Sequence, residues 1–191
     1  MTKDNIITLP NPHLRAKSRR IHIVTDEVRS LIKNMRKATL DWEKHREHEL
    51  GVALAAVQVD KLERVVVIRN NFDDKEDLTF IALINPEIVK LEGEIVYDHE
   101  GCLSVPDVYG LVPRHSKVRV KALDENGHEI RIKASGFLAR ILQHEIDHTN
   151  GIVFVDHIKD QPKAFFKLKA DGQLQQLDYE KHIKKNRILW Q

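Results

Sequence analysis

The sequence predicts an α+β fold. Three observations carry that reading: an apolar, helix-patterned run over residues 135–148, a hairpin of alternating strands just before it, and a long amphipathic helix near the N-terminus. Strands gathered around one buried helix do not alternate with helices as βαβ units would.

Residues 1–24 are irregular, punctuated by Pro10 and Pro12. Over residues 26–49 the apolar positions Val28, Leu31, Ile32, Met35, Ala38 and Trp42 recur at helical spacing, with Thr25 as the expected cap. Residues 64–69 and 78–84 are rich in β-branched and aromatic residues and read as strands, with a polar turn at 70–75 between them. Residues 88–97, broken at Gly93, read as a further hairpin. Val118 and Val120 alternate with charge, Asp124-Glu125-Asn126-Gly127 turns, and Ile130 and Ile132 alternate back. The helix over 135–148 follows, burying Phe137, Leu138, Ile141, Leu142 and Ile146 on one side. Gly151 stops it, and residues 152–158 read as a strand or loop.

At 191 residues and 41% hydrophobic content the chain suits one compact unit with a full core. No apolar run is long enough for a signal peptide or a membrane span. One cysteine gives no disulfide framework, so a reducing cytoplasm is the expected compartment. A net charge of +2 gives no footprint for DNA or an acidic membrane. The charge is uneven, however: from Lys159 onward eight Lys and Arg face four acids. Most such runs are solvated faces.

The chemistry centres on Gln143-His144-Glu145-Ile146-Asp147-His148, an H-E-x-x-H pattern. Histidines four apart project from one helix face and can point two imidazole nitrogens at one ion, while Glu145 beside them can take a proton from water without being a ligand. A catalytic site usually needs a third protein ligand. The downstream position where a metzincin-like pattern would place it is Phe154, and His157 lies beyond the helix stop. Upstream, Glu100-Gly101-Cys102-Leu103-Ser104 holds the lone cysteine, which is either a small buried hydrophobe or a thiolate ligand for zinc or ferrous iron. Gly51-Val52-Ala53-Leu54-Ala55-Ala56-Val57-Gln58 is crowded with small residues. It is either close-packed structure or a place where substrate backbone lies against the chain, with Gln58 donating to a developing oxyanion.

In this order the three stretches resemble the motifs of the peptide deformylases, and the likeness runs through Asn85-Pro86 and Val112-Pro113-Arg114 to cover about residues 5 to 160. The resemblance implies small antiparallel sheets around a central H-E-x-x-H helix, with residues 1–160 as the catalytic domain and 161–191 as a basic extension of it. It implies removal of the formyl group from the N-terminal methionine of nascent peptides. Cys102, His144 and His148 would bind one divalent ion, ferrous iron physiologically, with zinc, nickel or cobalt accepted by the same ligands. Glu145 would move the proton, and Gln58 and the backbone N–H of Leu103 would hold the oxyanion. Gly51, Val52, Ala53, Glu100, Gly101, Phe137, Arg140 and Ile141 would bind substrate, and the basic tail would dock on the ribosome. Ala53 departs from a glycine in the family pattern. Asp98 and Arg140 stand where apolar residues usually line the methionine pocket, so they are expected to face each other at the pocket mouth or turn to solvent. Two other readings stay open: a zinc endopeptidase with a ligand downstream of His148, and a metal-stabilised binding module that has lost turnover.

Overall fold

Helix and sheet are assembled around the apolar positions read from the sequence. The structure is a computed structural model that describes residues 1–46 and 48–190. Helix α1 (Asp26–Glu43) buries Ile32, Met35, Ala38 and Thr39, the stripe its 3.6-residue period requires. It stops short of residue 49. Beyond Glu43 polar side chains dominate, leaving little to bury, and Arg46 instead lies over the Trp42 ring at 5.3 Å. Thr25 holds the N-cap position, but its side chain makes no cap hydrogen bond.

Among the described residues seven strands form one antiparallel sheet, six along a single path and one branching from it. Strands β1 (Ala53–Ala55), β2 (Val65–Arg69), β3 (Phe80–Cys102) and β4 (Val105–Leu123) are neighbours in that order. Strand β5 (Glu129–Ser135) pairs with β4 in the expected hairpin, with Val120 opposite Ile132. The expected hairpin break at Gly93 is not there: β3 is continuous, and Gly93 sits at φ +76° within a register shift between Glu92 and Ile95. A glycine inside a strand absorbs such a bulge without a Cβ penalty. Asn85 does the same at φ 52°, its side chain held by both backbone groups of Ile21 at 2.8 and 2.7 Å. Strand β3 thus runs from core residues Phe80, Ala82 and Ile84 to Cys102 at its far end.

Helix α2 (Gly136–Thr149) lies against the sheet. Ala139, Ile141, Leu142 and Ile146 pack with Val118 and Val120 of β4 and with Ala55, Val57 and Val66. Truncating a side chain as buried as Leu142 would cost about 2–5 kcal/mol. That burial fixes the helix's roll, and hence where its histidines point. After α2, residues Phe154–Ile158 form a 3-10 turn rather than a strand.

The C-terminal segment packs back on the body. Strand β6 (Phe165–Leu168) adds to the β4 edge at Tyr109 and Gly110, and β7 (Leu174–Gln176) pairs with β6. Two short helices, α3 (Tyr179–His182) and α4 (Arg187–Trp190), complete it. Phe165, Ile183 and Leu189 are buried in a cluster with Leu14, Val105, Val112 and Phe154. No described helix is long and apolar enough to cross a membrane.

Candidate metal centre

The end of β3 and the face of α2 bring three ligand residues together. One atom each from Cys102, His144 and His148 lies within 4.8 Å of the others, and Cys102 Sγ is 3.2 Å from His148 Nε2. Ions such as zinc bind sulfur and imidazole nitrogen at roughly 2.0–2.3 Å, so one cation can reach all three. A thiolate with two neutral imidazoles is also a donor set chosen by zinc and ferrous iron rather than by calcium or magnesium.

Glu100 sets the tautomer of His144. Its Oε2 lies 2.8 Å from His144 Nδ1, which leaves Nε2 for an ion. Burial would push the Glu100 carboxyl up, but the His144 hydrogen bond and the Arg114 guanidinium outweigh it and hold it well below the usual carboxylate range. Burial likewise opposes a proton on His144, yet its hydrogen bonds with Cys102 and Glu100 raise its pKa above the ordinary value. His148 is held well below by burial and the neighbouring His144 charge, so it is a neutral ring ready to donate a lone pair. Its Nδ1 is buried without a hydrogen-bond partner among the described residues.

Glu145 is buried beside the pair. Desolvation pushes its carboxyl up to about 7, close to where a general base works best, and its Oε2 has no protein partner among the described residues. Gln58 reaches in from the 3-10 turn Ala56–Val59. Its Oε1 accepts the Ala55 N–H at 2.8 Å, and its amide donates to Ser104 Oγ at 3.1 Å and stands 3.5 Å from Cys102 Sγ. Leu103 lies at the tip between β3 and β4, beside Cys102.

A cavity of about 290 Å³ opens over these groups. Val52, Ala53, Gly101, Leu103, Phe137, Arg140 and Ile141 line it. Gly51 does not. It packs against Thr39, where an added Cβ would sit 2.8 Å from both Cγ2 and the carbonyl oxygen. Glu100 borders the cavity, but its carboxylate is consumed by Arg114, Arg140 and His144 rather than left for substrate.

Asp98 turns to solvent, one of the two expected outcomes, but the expectation for Arg140 needs correction. Asp98 is exposed and its carboxylate accepts its neighbour's backbone N–H, His99 N at 2.8 Å. Arg140 neither meets that carboxylate nor turns to solvent: it is 6% exposed and paired with Glu100 at 2.7 Å. The carboxylate that neutralises it, Glu100, lies on the same strand as Asp98 but 40 residues from Arg140, and only the packing of α2 on β3 selects it. His157 is also not a ligand, since its Nε2 faces Asp147 at 2.7 Å and Arg114 at 3.2 Å. Sequence reasoning missed Trp42, His48, Glu49, Leu50, His99 and Tyr109 on the cavity wall. Tyr109 faces Gly101 across the β3–β4 pair, where a Cβ would meet its ring at 2.6 Å, a closeness that only the fold reveals.

Comparison with known proteins agrees with this geometry. A family described as polypeptide deformylase matches residues 3–164. The peptide deformylase of Thermomicrobium roseum is 45% identical over 84% of this chain and 89% of its own length. That of Halothermothrix orenii is 46% identical over 78% of this chain and 88% of its own. Among solved structures, a peptide deformylase from Synechococcus elongatus in complex with actinonin superposes with a TM-score of 0.74 at 36% identity, covering 82% of this chain and 80% of that one. With family match, fold and a Cys-His-His cluster where the end of β3 meets a buried helix in agreement, the chain belongs to the peptide deformylase family of metal-binding hydrolases.

Proposed function

We propose that this chain hydrolyses the formamide of N-formylmethionyl nascent peptides, releasing formate and a free amine. The observation that carries the reading is the convergence of Cys102, His144 and His148 beside Glu145 and Gln58 under one cavity. A divalent ion held by those three ligands supplies Lewis-acid chemistry that acidifies water and polarises a carbonyl. Glu145 accepts the proton of the attacking water as it adds to the formyl carbon, then returns it to the leaving nitrogen. The Gln58 amide and the Leu103 backbone N–H are the donors for the oxyanion that forms. Glu100 keeps the His144 ring in register throughout. The cavity wall from Val52, Ala53, Gly101, Phe137 and Ile141 holds the peptide and its first side chain.

Ferrous iron is the proposed physiological ion, with zinc, nickel or cobalt able to occupy the same ligands; thiolate softness and imidazole affinity suit all four. A lone cysteine used as a ligand favours a reducing cytoplasm. Residues 1–160 are proposed as the catalytic unit and 161–191 as an extension built on it. Exposed Lys163, Lys167, Lys181, Lys185 and Arg187 support a ribosome-binding role for that extension. Co-sedimentation with ribosomes before and after changing those five residues to glutamine tests it: undiminished binding rejects the role.

The test of the activity is formate release from formyl-Met-Ala by the iron-loaded protein, kept from oxygen. Formate production supports the reading, and cleavage of unformylated peptides at internal bonds rejects it. A cluster completed by Cys102, rather than by a residue after His148, favours this reading over a zinc endopeptidase.

A further inference from the structure

Arg140 is the one Lys or Arg on α2, and its guanidinium is shared between two strands, β3 and β4. Nη1 donates to Glu100 Oε1 at 2.7 Å and to the Val112 carbonyl at 2.8 Å, and Nη2 donates to the Val96 carbonyl at 2.7 Å. Nη1 also lies 3.4 Å from the Asp98 carbonyl.

Consider what this does to Glu100. A carboxylate has about four lone-pair sites. Arg114 Nε takes one on Oε1 at 2.9 Å, Arg114 Nη2 takes one on Oε2 at 3.1 Å, and His144 Nδ1 takes the second on Oε2 at 2.8 Å. Arg140 fills the remaining site on Oε1. The carboxylate is saturated from both sides and cannot swing away from the imidazole. Charge points the same way. Arg114 also serves Asp147 at 2.5 Å, so a single guanidinium would face one buried and one half-buried carboxylate. Arg140 brings the cluster to two against two.

The carbonyls matter as well. Val96 lies on β3, the strand that ends in Cys102, and Val112 lies on β4 beside it, opposite Asp98. One side chain on the helix bearing His144 and His148 therefore clasps the strand pair bearing the third ligand.

We infer that Arg140 is a positioning residue of the metal centre. Through Glu100 it fixes the His144 ring, and through Val96 and Val112 it holds the Cys102 strand at the helix. The inference rests on the deformylase reading above and deepens it.

The test uses the full chain loaded with Co2+, whose visible spectrum reports ligand geometry. Arg140→Met keeps an unbranched stem and removes the donors; Arg140→Lys keeps the charge on a single nitrogen. With Arg140→Met, Co2+ loss to excess chelator speeds up about 10- to 100-fold, the order typical when a ligand's hydrogen-bonded support is removed. Its spectrum shifts, and kcat falls while KM for formyl-Met-Ala stays within about twofold. Arg140→Lys recovers part of the retention. Co2+ loss and a spectrum unchanged in Arg140→Met overturn the inference, as does a rise in KM alone, which would make Arg140 a pocket wall only. If Arg140→Met does not fold, the same two readouts on Arg140→Lys decide, and values equal to the parent overturn it. A parent that neither holds Co2+ nor releases formate overturns the deformylase reading together with this one. A parent that does both while Arg140→Met is unaltered overturns the positioning role alone.

Discussion

Gln58 Nε2 stands 3.5 Å from Cys102 Sγ, so a neutral amide N–H is aimed at the ligand set rather than folded back on its own backbone. Its partner atom, Oε1, is fixed by the Ala55 N–H, which keeps the amide from flipping. Replacing Gln58 with leucine is expected to lower kcat about 100-fold or more while leaving metal content unchanged. It should also cost about 1–3 kcal/mol of stability, because Ala55 N–H and Ser104 lose a buried partner. Steady-state kinetics beside metal analysis and urea denaturation check both parts; normal turnover would remove Gln58 from the oxyanion site.

Glu145→Gln should bind metal normally and lose turnover by about 100-fold or more. A second effect appears in the metal-free protein. The Glu145 carboxyl is pushed from 4.5 up to about 7 by burial, so its folded pKa is above its unfolded one. The unfolded chain then holds fewer protons between those values, and stability falls as pH rises from about 4.5 to 7, by about 3 kcal/mol in all. Glutamine has no such penalty. Denaturation of the metal-free pair across that range should show the variant gaining on the parent as pH rises.

Arg114 is 5% exposed and shared by Glu100 and Asp147, so Arg114→Met leaves a buried and a half-buried carboxylate short of a cation. The expected loss is about 3–5 kcal/mol at neutral pH. Burial alone would raise both carboxyls, but hydrogen bonds from His144 to Glu100 and from His157 to Asp147, with Arg114 on each, hold them below their ordinary values. Groups depressed in this way contribute stability above the unfolded pKa, about 4, and lose it as pH falls. The parent should therefore weaken as it is acidified below pH 4, and the variant should weaken less. Parallel curves would show that Arg114 does not set those carboxyls.

Gly151 ends α2 at φ +76°, and an added Cβ would lie 2.4 Å from the Arg15 carbonyl oxygen. Both strain and backbone clash act against any side chain. Gly151→Ala should cost about 1–3 kcal/mol or more, read as a lower urea midpoint with an unchanged slope.

Sequence periodicity revealed α1, the β4–β5 hairpin and α2, because each buries one face and so must repeat at its own period. It misread β3. Gly93 and Asn85 look like punctuation along the chain, yet each supplies a left-handed conformation inside a bulged strand, and only the partner strand distinguishes a bulge from a turn. At the site, the ligands were legible because two sit four apart on one helix and the third lies in a compact motif. The charges around them were not. Arg140 and Glu100 are 40 residues apart, and a solitary arginine beside an apolar pocket gives no hint of which carboxylate neutralises it. The same holds for the Tyr109 hydroxyl, which reaches Glu49 across 60 residues at 2.5 Å.

The Phe154 ring stacks on His144 at a centroid separation of 6.1 Å, and Phe154 shares its apolar cluster with Phe165, Ile183 and Leu189. The last thirty or so residues thus form the backing behind an imidazole that faces the cavity. A version of this chain ending near residue 160 would need other bulk in that place, so chain length and the stiffness of a coordinating ring cannot be adjusted independently of each other.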